Sequence, residues 1–462
     1  MLSAREQAAA IRERKVSAVE TMQRHLDAIA AHEPALGAIV NAIPEADALA
    51  LARAADDAVA AGEPLGPLHG LPIAVKDVMD VAGLPTTAGA VPHKDRIATR
   101  DSLLAERLRA AGALIIGKTN TPEHGLGTLT FNDLFGPTRN PYALDRHAGG
   151  SSGGAAAAVA AGLLPLADGS DSGGSLRYPA AFCNVVGLRP SPGRIPSSRP
   201  DDGWSPHGVL GPIARDVADA GLLLSAIAGR DDRTPIALDD DPAAFAQIVP
   251  SGLKGVRVAW SWDLDGLPID PEVQRVLGEM RAALVEAGCV VEDVEPDFSG
   301  ADAAWETIEM LGFLAFCGAD VARFGDAMRD DIVRNVEQGR ALTAQQLVDA
   351  QAARTAIYRR TCTLMERYDL LAAPVAPVVP PPVELPWVRE VAGTRFERYF
   401  EWQRCATRIV VTAHPALSLP GGFSSEGLPV GLQLVGRHRG ELDLLRHAAA
   451  IEAATGHGSR RP

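Results

Sequence analysis

The chain has 462 residues, 47% of them hydrophobic and 22% charged, the make-up of an ordinary soluble globular protein and not of a disordered one. With 44 basic against 58 acidic residues it carries a formal charge of −14, which repels nucleic-acid backbones and acidic membrane surfaces. It offers no uninterrupted apolar run of about 18 residues for a spanning helix and no leader-like segment over Met1 to Arg14. Its five cysteines, Cys183, Cys289, Cys317, Cys362 and Cys405, are odd in number and scattered, as free thiols in a reducing, cytoplasmic compartment would be.

Ser3 predicts a cap for a helix Ala4–Glu13; Ser17, with Glu20 three residues on, predicts one for Ala18–Ala31; and Glu45–Ala61 is an alanine-rich amphipathic run. From Leu71 the texture changes to alternating short strands and helices: strand Pro72–Val75, helix Ser102–Ala111, strand Ala113–Ile116. That alternation argues for an α/β sheet with helices on its faces. Gly255–Trp260, Pro271–Ala287 and Cys289–Val294 read as a further strand, helix and strand. Residues 301–367 read as helices broken near Gly339-Arg340, and Tyr368–Val379 as a strand entering the proline-rich loop Pro380-Pro381-Pro382. Strands Pro415–Leu419 and Val430–Val435 and a helix Leu442–Ala454 close the chain. Acidic stretches such as Asp239-Asp240-Asp241 and Asp201-Asp202 read as solvated loops, and no metal site or cofactor is implied.

Chemistry concentrates between Gly149 and Gly187, where two glycine-serine clusters flank the apolar run Ala155 to Leu166. A flexible linker would not be bracketed by such buried-looking sequence. Adjacent glycines instead mark sharp turns or close backbone approach, and each turn presents serines.

Two familiar patterns fail on their context. Gly112-Ala-Leu-Ile-Ile-Gly-Lys-Thr119 satisfies the phosphate-loop spacing, yet Ala-Leu-Ile-Ile is itself the strand, so no loop remains to turn N–H groups onto a phosphate. Gly150-Ser-Ser-Gly-Gly154 matches a nucleophile elbow and has a helix after it, but the preceding Arg139–His147 is polar and offers no buried strand; His414, next to Pro415, reads as structural. Lys76 is different. It ends an apolar strand, and a lysine held in a dry site loses its proton readily and can serve a serine nucleophile as base.

Taken together, Leu71-Pro-Ile-Ala-Val-Lys-Asp77, the cluster Gly149-Gly-Ser-Ser-Gly-Gly154 and Ser170-Asp-Ser-Gly-Gly-Ser-Leu-Arg-Tyr-Pro-Ala180 resemble the amidase signature family of Ser-Ser-Lys amide hydrolases. Gly117-Lys-Thr-Asn-Thr-Pro-Glu123, Arg139-Asn-Pro-Tyr142, Gly211-Pro-Ile-Ala-Arg-Asp216 and Gly427-Leu-Pro-Val-Gly-Leu-Gln-Leu-Val-Gly436 extend the resemblance over most of the chain. It implies an α/β fold with a central mixed β-sheet covered by helices on both faces. It also implies a single domain over 1–462: a helical lead-in (1–65), a signature core (66–230), and a sheet extension with substrate-pocket helices (231–462).

Carried over by residue, the resemblance implies Ser175 as nucleophile, Ser151 as a bridging serine after a cis peptide at Gly150–Ser151, and Lys76 as base. Ser172, Gly173 and Gly174 would form the oxyanion hole, with Ser152, Asp171 and Arg177 supporting it; Gly125, Leu126, Gly127 and Tyr178 would shape the substrate pocket. Two departures stand out: Ser170 and Ser172 replace the threonines commoner in the family, and Tyr178 replaces a smaller residue.

The expected function is hydrolysis of a small carboxamide through an acyl-enzyme, without cofactor, nucleic acid or membrane, and with a homodimer as the candidate assembly. The alternative is the glutaminase component of a tRNA-dependent amidotransferase. Against it, Pro196–Gly211 lacks the Tyr-Gly-Leu…Ser-Leu-Asp-Gln segment that such components share. A silent scaffold on this fold is disfavoured because all three catalytic positions are filled.

Overall fold

A computed structural model describes residues 2–197 and 203–462; Asp201-Asp202 and part of Pro196–Gly211 lie outside the described residues. The lead-in helices form as their caps predict. Ser3 Oγ accepts from Glu6 N while Glu6 Oε2 accepts from Ser3 N, opening Ala4–Arg12, and Ser17 and Glu20 repeat the arrangement at Ala18–Leu36. The second helix runs past Ala31 and through Pro34 because its stop signal is Gly37, whose φ of 61° closes the left-handed C-cap.

Pro72–Lys76 and Leu114–Thr119 pair in parallel, with Ile39–Val40 antiparallel on the far side of the latter. This three-stranded sheet is not hydrogen-bonded into the main one but packs against its strand Leu166–Asp171, and it holds Gly117-Lys118-Thr119 within a strand. Lys118 is buried; its Nζ donates to Met79 O at 2.6 Å and Thr86 Oγ1 at 3.1 Å and lies 3.4 Å from Asp77 Oδ1. A lysine so committed has no phosphate to bind.

The main sheet has eight strands in the order Val290–Asp293, Arg257–Trp260, Leu370–Pro374, Pro429–Val435, Ala416–Phe423, Val186–Arg189, Val209–Ala214 and Leu166–Asp171. The first three run parallel and the remaining pairings are antiparallel, so the sheet is mixed as expected. Leu370–Pro374, Pro429–Val435 and Val209–Ala214 are buried at every position. Successive side chains alternate between faces, so this burial means that both faces are covered. The cover comes from helices that include Gly153–Ala160, Pro271–Glu286 and Glu441–Thr455.

Residues 301–367 form three helices, Ala301–Phe324, Asp330–Ala341 and Ala344–Arg367. The break expected near Gly339-Arg340 falls two residues on, at Leu342-Thr343 between the second and third of these helices; Gly339 is itself helical, and glycine is needed there because a Cβ would come within 2.4 Å of Met310 O. The predicted strand Tyr368–Val379 shortens to Leu370–Pro374, and polar Arg139–His147 is a small antiparallel ribbon of Arg139–Asn140 and Ala143–His147.

One buried carboxyl makes the fold sensitive to pH. Glu452 Oε2 accepts from Val217 N at 3.2 Å, and burial together with the carboxylates of Asp216 and Asp219 pushes the Glu452 carboxyl up to about 8. Between roughly pH 4.3, the ordinary glutamate value, and pH 8 the unfolded chain ionises while the folded one keeps its proton, so stability falls as pH rises. Glu452→Gln keeps an acceptor for Val217 N and removes that loss. Its melting temperature should match wild type near the bottom of this window and exceed it by several degrees at the top; parallel Tm–pH curves would contradict the assignment.

Candidate active site

Strand Pro72–Lys76 carries Lys76 to full burial against Leu166–Asp171, where Lys76 N donates to Asp168 Oδ1 at 3.1 Å. Its Nζ lies 2.7 Å from Ser151 Oγ, 2.9 Å from Ser152 Oγ and 3.0 Å from Ser170 Oγ. Three hydroxyls from two chain segments thus surround one amine. Burial pushes the Asp168 carboxyl up to about 6, against the opposing pull of the Lys76 backbone N–H and the two lysine charges.

The Gly150–Ser151 peptide is cis, and helix Gly153–Ala160 starts directly after the serine pair. Thr130 holds this turn: its Oγ1 donates to Ser151 O at 3.4 Å and accepts from Gly153 N at 3.1 Å. Ser151, Ser170 and Ser175 all line one cavity of about 380 Å³.

Behind Ser175 the turn is fixed electrostatically. Arg177 Nη2 and Nε bind Asp171 Oδ1 and Oδ2 at 2.9 and 3.0 Å, a bidentate pair with both side chains buried. Arg189 Nη1 lies 3.5 Å from Asp171 Oδ1. The two guanidiniums hold the Asp171 carboxyl far below the usual carboxylate range despite its burial. Asp171 also accepts from Gly174 N at 2.9 Å and Leu176 N at 3.2 Å, which ties the charge pair to the backbone flanking Ser175.

The contact at Gly174 corrects one expectation. Its N–H does not face an oxyanion, because it is spent on Asp171; among the described residues the N–H groups of Gly173 and Ser175 meet no acceptor. The Ser172 N–H likewise meets no acceptor among the described residues, while its carbonyl accepts from Trp305 Nε1 at 2.7 Å and its Oγ donates to Glu309 Oε1 at 3.3 Å. Gly174 is required for shape. Its φ is 109°, and a Cβ would lie 2.6 Å from Ala406 Cβ and 2.7 Å from Tyr178 Cδ2. Gly174→Ala should destabilise the protein by about 1–3 kcal/mol and cut kcat/KM by ~100-fold by displacing Ser175. Unchanged kinetics would show that the turn tolerates displacement.

The pocket residues expected from sequence divide. Gly125 lines the cavity, and a Cβ on it would stand 3.5 Å from Ser151 Oγ. Leu126 is buried in the core, and Gly127 faces Tyr399. Tyr178 packs edge-on to Trp402 and Phe182 and donates to Trp402 O at 3.1 Å, so it backs the Gly174 turn from the core instead of facing substrate. His414 is buried at Thr412 O, 2.9 Å from its Nδ1, and takes no part in the cavity.

Other cavity residues carry no signal in the sequence. Met79, Ile308, Phe313 and Phe316 give it an apolar wall; Glu309, bonded to His207 Nε2 at 2.8 Å, and Arg354 add charge. Their order along the chain has no spacing that marks them as neighbours. Ser170 and Asp168 stand two residues apart on strand Leu166–Asp171, so in the folded chain both side chains lie on one face, toward Lys76.

Comparison with known proteins identifies the family. The family model described as Amidase matches residues 20–445. An acylamidase of Rhodococcus erythropolis is 38% identical over 468 residues, spanning 100% of this chain and 97% of that protein. A glutamyl-tRNA(Gln) amidotransferase component from Moorella thermoacetica is 36% identical, spanning 100% and 98%. Among solved structures, a bacterial aryl acylamidase of the amidase signature enzymes superimposes with a TM-score of 0.91 at 29% identity, over 100% of this chain and 99% of that one. Fold, matched length and kinship lead to one conclusion: the chain belongs to the amidase signature family and is an enzyme that hydrolyses amide C–N bonds.

Proposed function

We propose that this protein is a stand-alone amidase, one domain over residues 1–462, that cleaves a small carboxamide to a carboxylic acid and an amine or ammonia through an acyl-enzyme on Ser175. The observation that carries this reading is the triple contact of Lys76 Nζ with Ser151, Ser152 and Ser170 at the wall of the cavity that Ser175 enters. In its amine form Lys76 has two N–H donors and one lone pair. Donation to Ser152 and Ser170 leaves the lone pair for the hydroxyl proton of Ser151.

Ser151 then accepts the proton of Ser175 as Ser175 Oγ bonds to the substrate carbonyl carbon. The carbonyl π-electrons move to oxygen, and the N–H groups of Ser172, Gly173 and Ser175 are the donors available to that oxyanion. Collapse breaks the C–N bond. The leaving nitrogen takes its proton from Ser151, which is resupplied by Lys76, and water attacks the acyl-Ser175 ester by the same relay in reverse. Asp171 and Arg177 position the turn and do not touch the reacting atoms.

The acylamidase relatives supply the assay: N-acyl aromatic amines against glutamine, with the protein alone. Hydrolysis of the aromatic amides without a partner supports the proposal. The kinship with amidotransferase components supports the second reading, a glutaminase that passes ammonia to a partner; activity on glutamine alone, appearing only with partner proteins, would establish it. A cytoplasmic homodimer is the working assembly; no helix among the described residues is long and apolar enough to cross a membrane.

A further inference from the structure

A second cavity of about 570 Å³ adjoins the catalytic one, and Val78, Met79, His124 and Phe316 line both. The hydrolytic steps use nothing in it. In its wall three ligand-bearing side chains from separate parts of the chain converge. His93 ends the single turn Val91–His93, His124 lies within the turn Glu123–Gly125 at a φ of 49°, and Asp320 projects from helix Ala301–Phe324. His93 Nε2 and His124 Nε2 lie 2.8 and 3.8 Å from Asp320 Oδ2, and the three ligand atoms all fall within 4.8 Å of one another.

The simpler reading is a hydrogen-bonded His93–Asp320 pair with His124 packed beside it. It leaves a fact unexplained: His124 is only 9% exposed, yet its Nε2 has no hydrogen-bond partner. A buried polar atom left without a hydrogen bond is destabilising, and this one is aimed at a carboxylate already beside a second imidazole. The rings are held in place, His93 edge-on to His124 and to Phe324, and His124 edge-on to Phe316.

We propose that His93, His124 and Asp320 form a binding site for a divalent transition metal of the zinc class. Two imidazole nitrogens and one carboxylate oxygen suit zinc, cobalt or nickel better than calcium or magnesium, which prefer all-oxygen shells. Tetrahedral zinc with ligands at about 2.0–2.2 Å sets ligand atoms roughly 3.4 Å apart. The separations of 2.8 and 3.8 Å from Asp320 Oδ2 bracket that value and the two imidazole nitrogens lie within 4.8 Å of each other, so side-chain rotations can bring the three ligands to one ion. The fourth position opens to the second cavity, through which the ion enters.

A bound ion ties the turn at His124 to helix Ala301–Phe324. Gly125, the next residue, borders Ser151, and the same helix contributes Ile308, Phe313 and Phe316 to the catalytic cavity. The site therefore clamps two walls of the catalytic cavity together from outside the reaction path.

The test uses full-length, untagged protein freed of metal by chelation, with Zn²⁺ in equilibrium dialysis and Co²⁺ as a visible-absorption probe. One Zn²⁺ per chain should bind, Co²⁺ should give the intense d–d absorption of a low-coordinate site, and Zn²⁺ should raise the melting temperature by several degrees. His93→Ala and Asp320→Asn should each weaken binding by ~100-fold or more and abolish the Zn²⁺-dependent shift. His438→Ala, beside the separate His414 pair, should leave both unchanged. If His93→Ala and Asp320→Asn fold and bind Zn²⁺ as wild type does, or if wild type binds no Zn²⁺ at concentrations that saturate zinc enzymes, the site is wrong. Because binding is read without turnover, failure here leaves the amidase reading untouched, and failure of that reading leaves this result standing.

Discussion

Ser175→Ala is expected to lower kcat for amide hydrolysis by ~10⁴-fold or more, the scale seen when a hydrolase loses its nucleophile, while the fold survives. The side chain accounts for neither the turn nor its packing. Ser175 contributes its backbone carbonyl to Ser152 N at 3.2 Å, and alanine keeps that contact. The ion pair of Asp171 and Arg177 that shapes the turn is likewise untouched. Thermal denaturation should therefore stay close to wild type, and KM should change far less than kcat. Full activity in the alanine variant would assign the nucleophile elsewhere.

Lys76→Met is the second large effect, and it has a different signature. Methionine fills similar volume but neither donates nor accepts a proton, so the relay loses its end point and the rate should fall by ~10²–10⁴-fold, the usual yield of general acid–base catalysis. The loss should be greater for an amide than for an ester of the same acyl group, because an amine leaves only after protonation whereas an alkoxide is a better leaving group. The variant should also be less stable. Ser151, Ser152 and Ser170 each lose a buried partner, at about 1–3 kcal/mol for a group left unsatisfied. Comparing amide and ester rates in one preparation separates lost chemistry from lost folding, since misfolding lowers both equally.

Much of the site is legible in the sequence because its chemistry sits in short contiguous runs. Lys76 at a strand end is a pattern of composition, whereas Ser151, Ser152, Asp171 and Arg177 around Ser175 are picked out by the resemblance of the runs that hold them to the amidase signature. What the sequence hides is long-range. Strand Leu166–Asp171 contains a glycine and two aspartates, a poor β composition, and it forms because Val209–Ala214 pairs along its whole length. Without that strand in view, Ser170 and Asp168 cannot be placed beside Lys76.

The oxyanion turn shows the same limit at atomic scale. Glycines at 173 and 174 announce bare N–H groups, but only the folded chain shows that Asp171 claims the one on Gly174. Tyr178 reads as a pocket residue because it stands where smaller residues are frequent in the family. The helix Arg177–Phe182 instead turns it inward, where Trp402 and Phe182 bury it. His93, His124 and Asp320 lie too far apart in the chain for any spacing rule to join them.

Activation of Ser175 by Lys76 through Ser151 can be read without a substrate, using an irreversible fluorophosphonate probe and peptide mass mapping. Phosphonylation needs an activated serine and displaces fluoride, so the label marks the nucleophile and its rate reports the base. One label per chain is expected, on Ser175, formed at least ~100-fold more slowly in Lys76→Met and absent in Ser175→Ala. A label on Ser151, Ser170 or Ser172, or an undiminished labelling rate in a folded Lys76→Met protein, would contradict the relay.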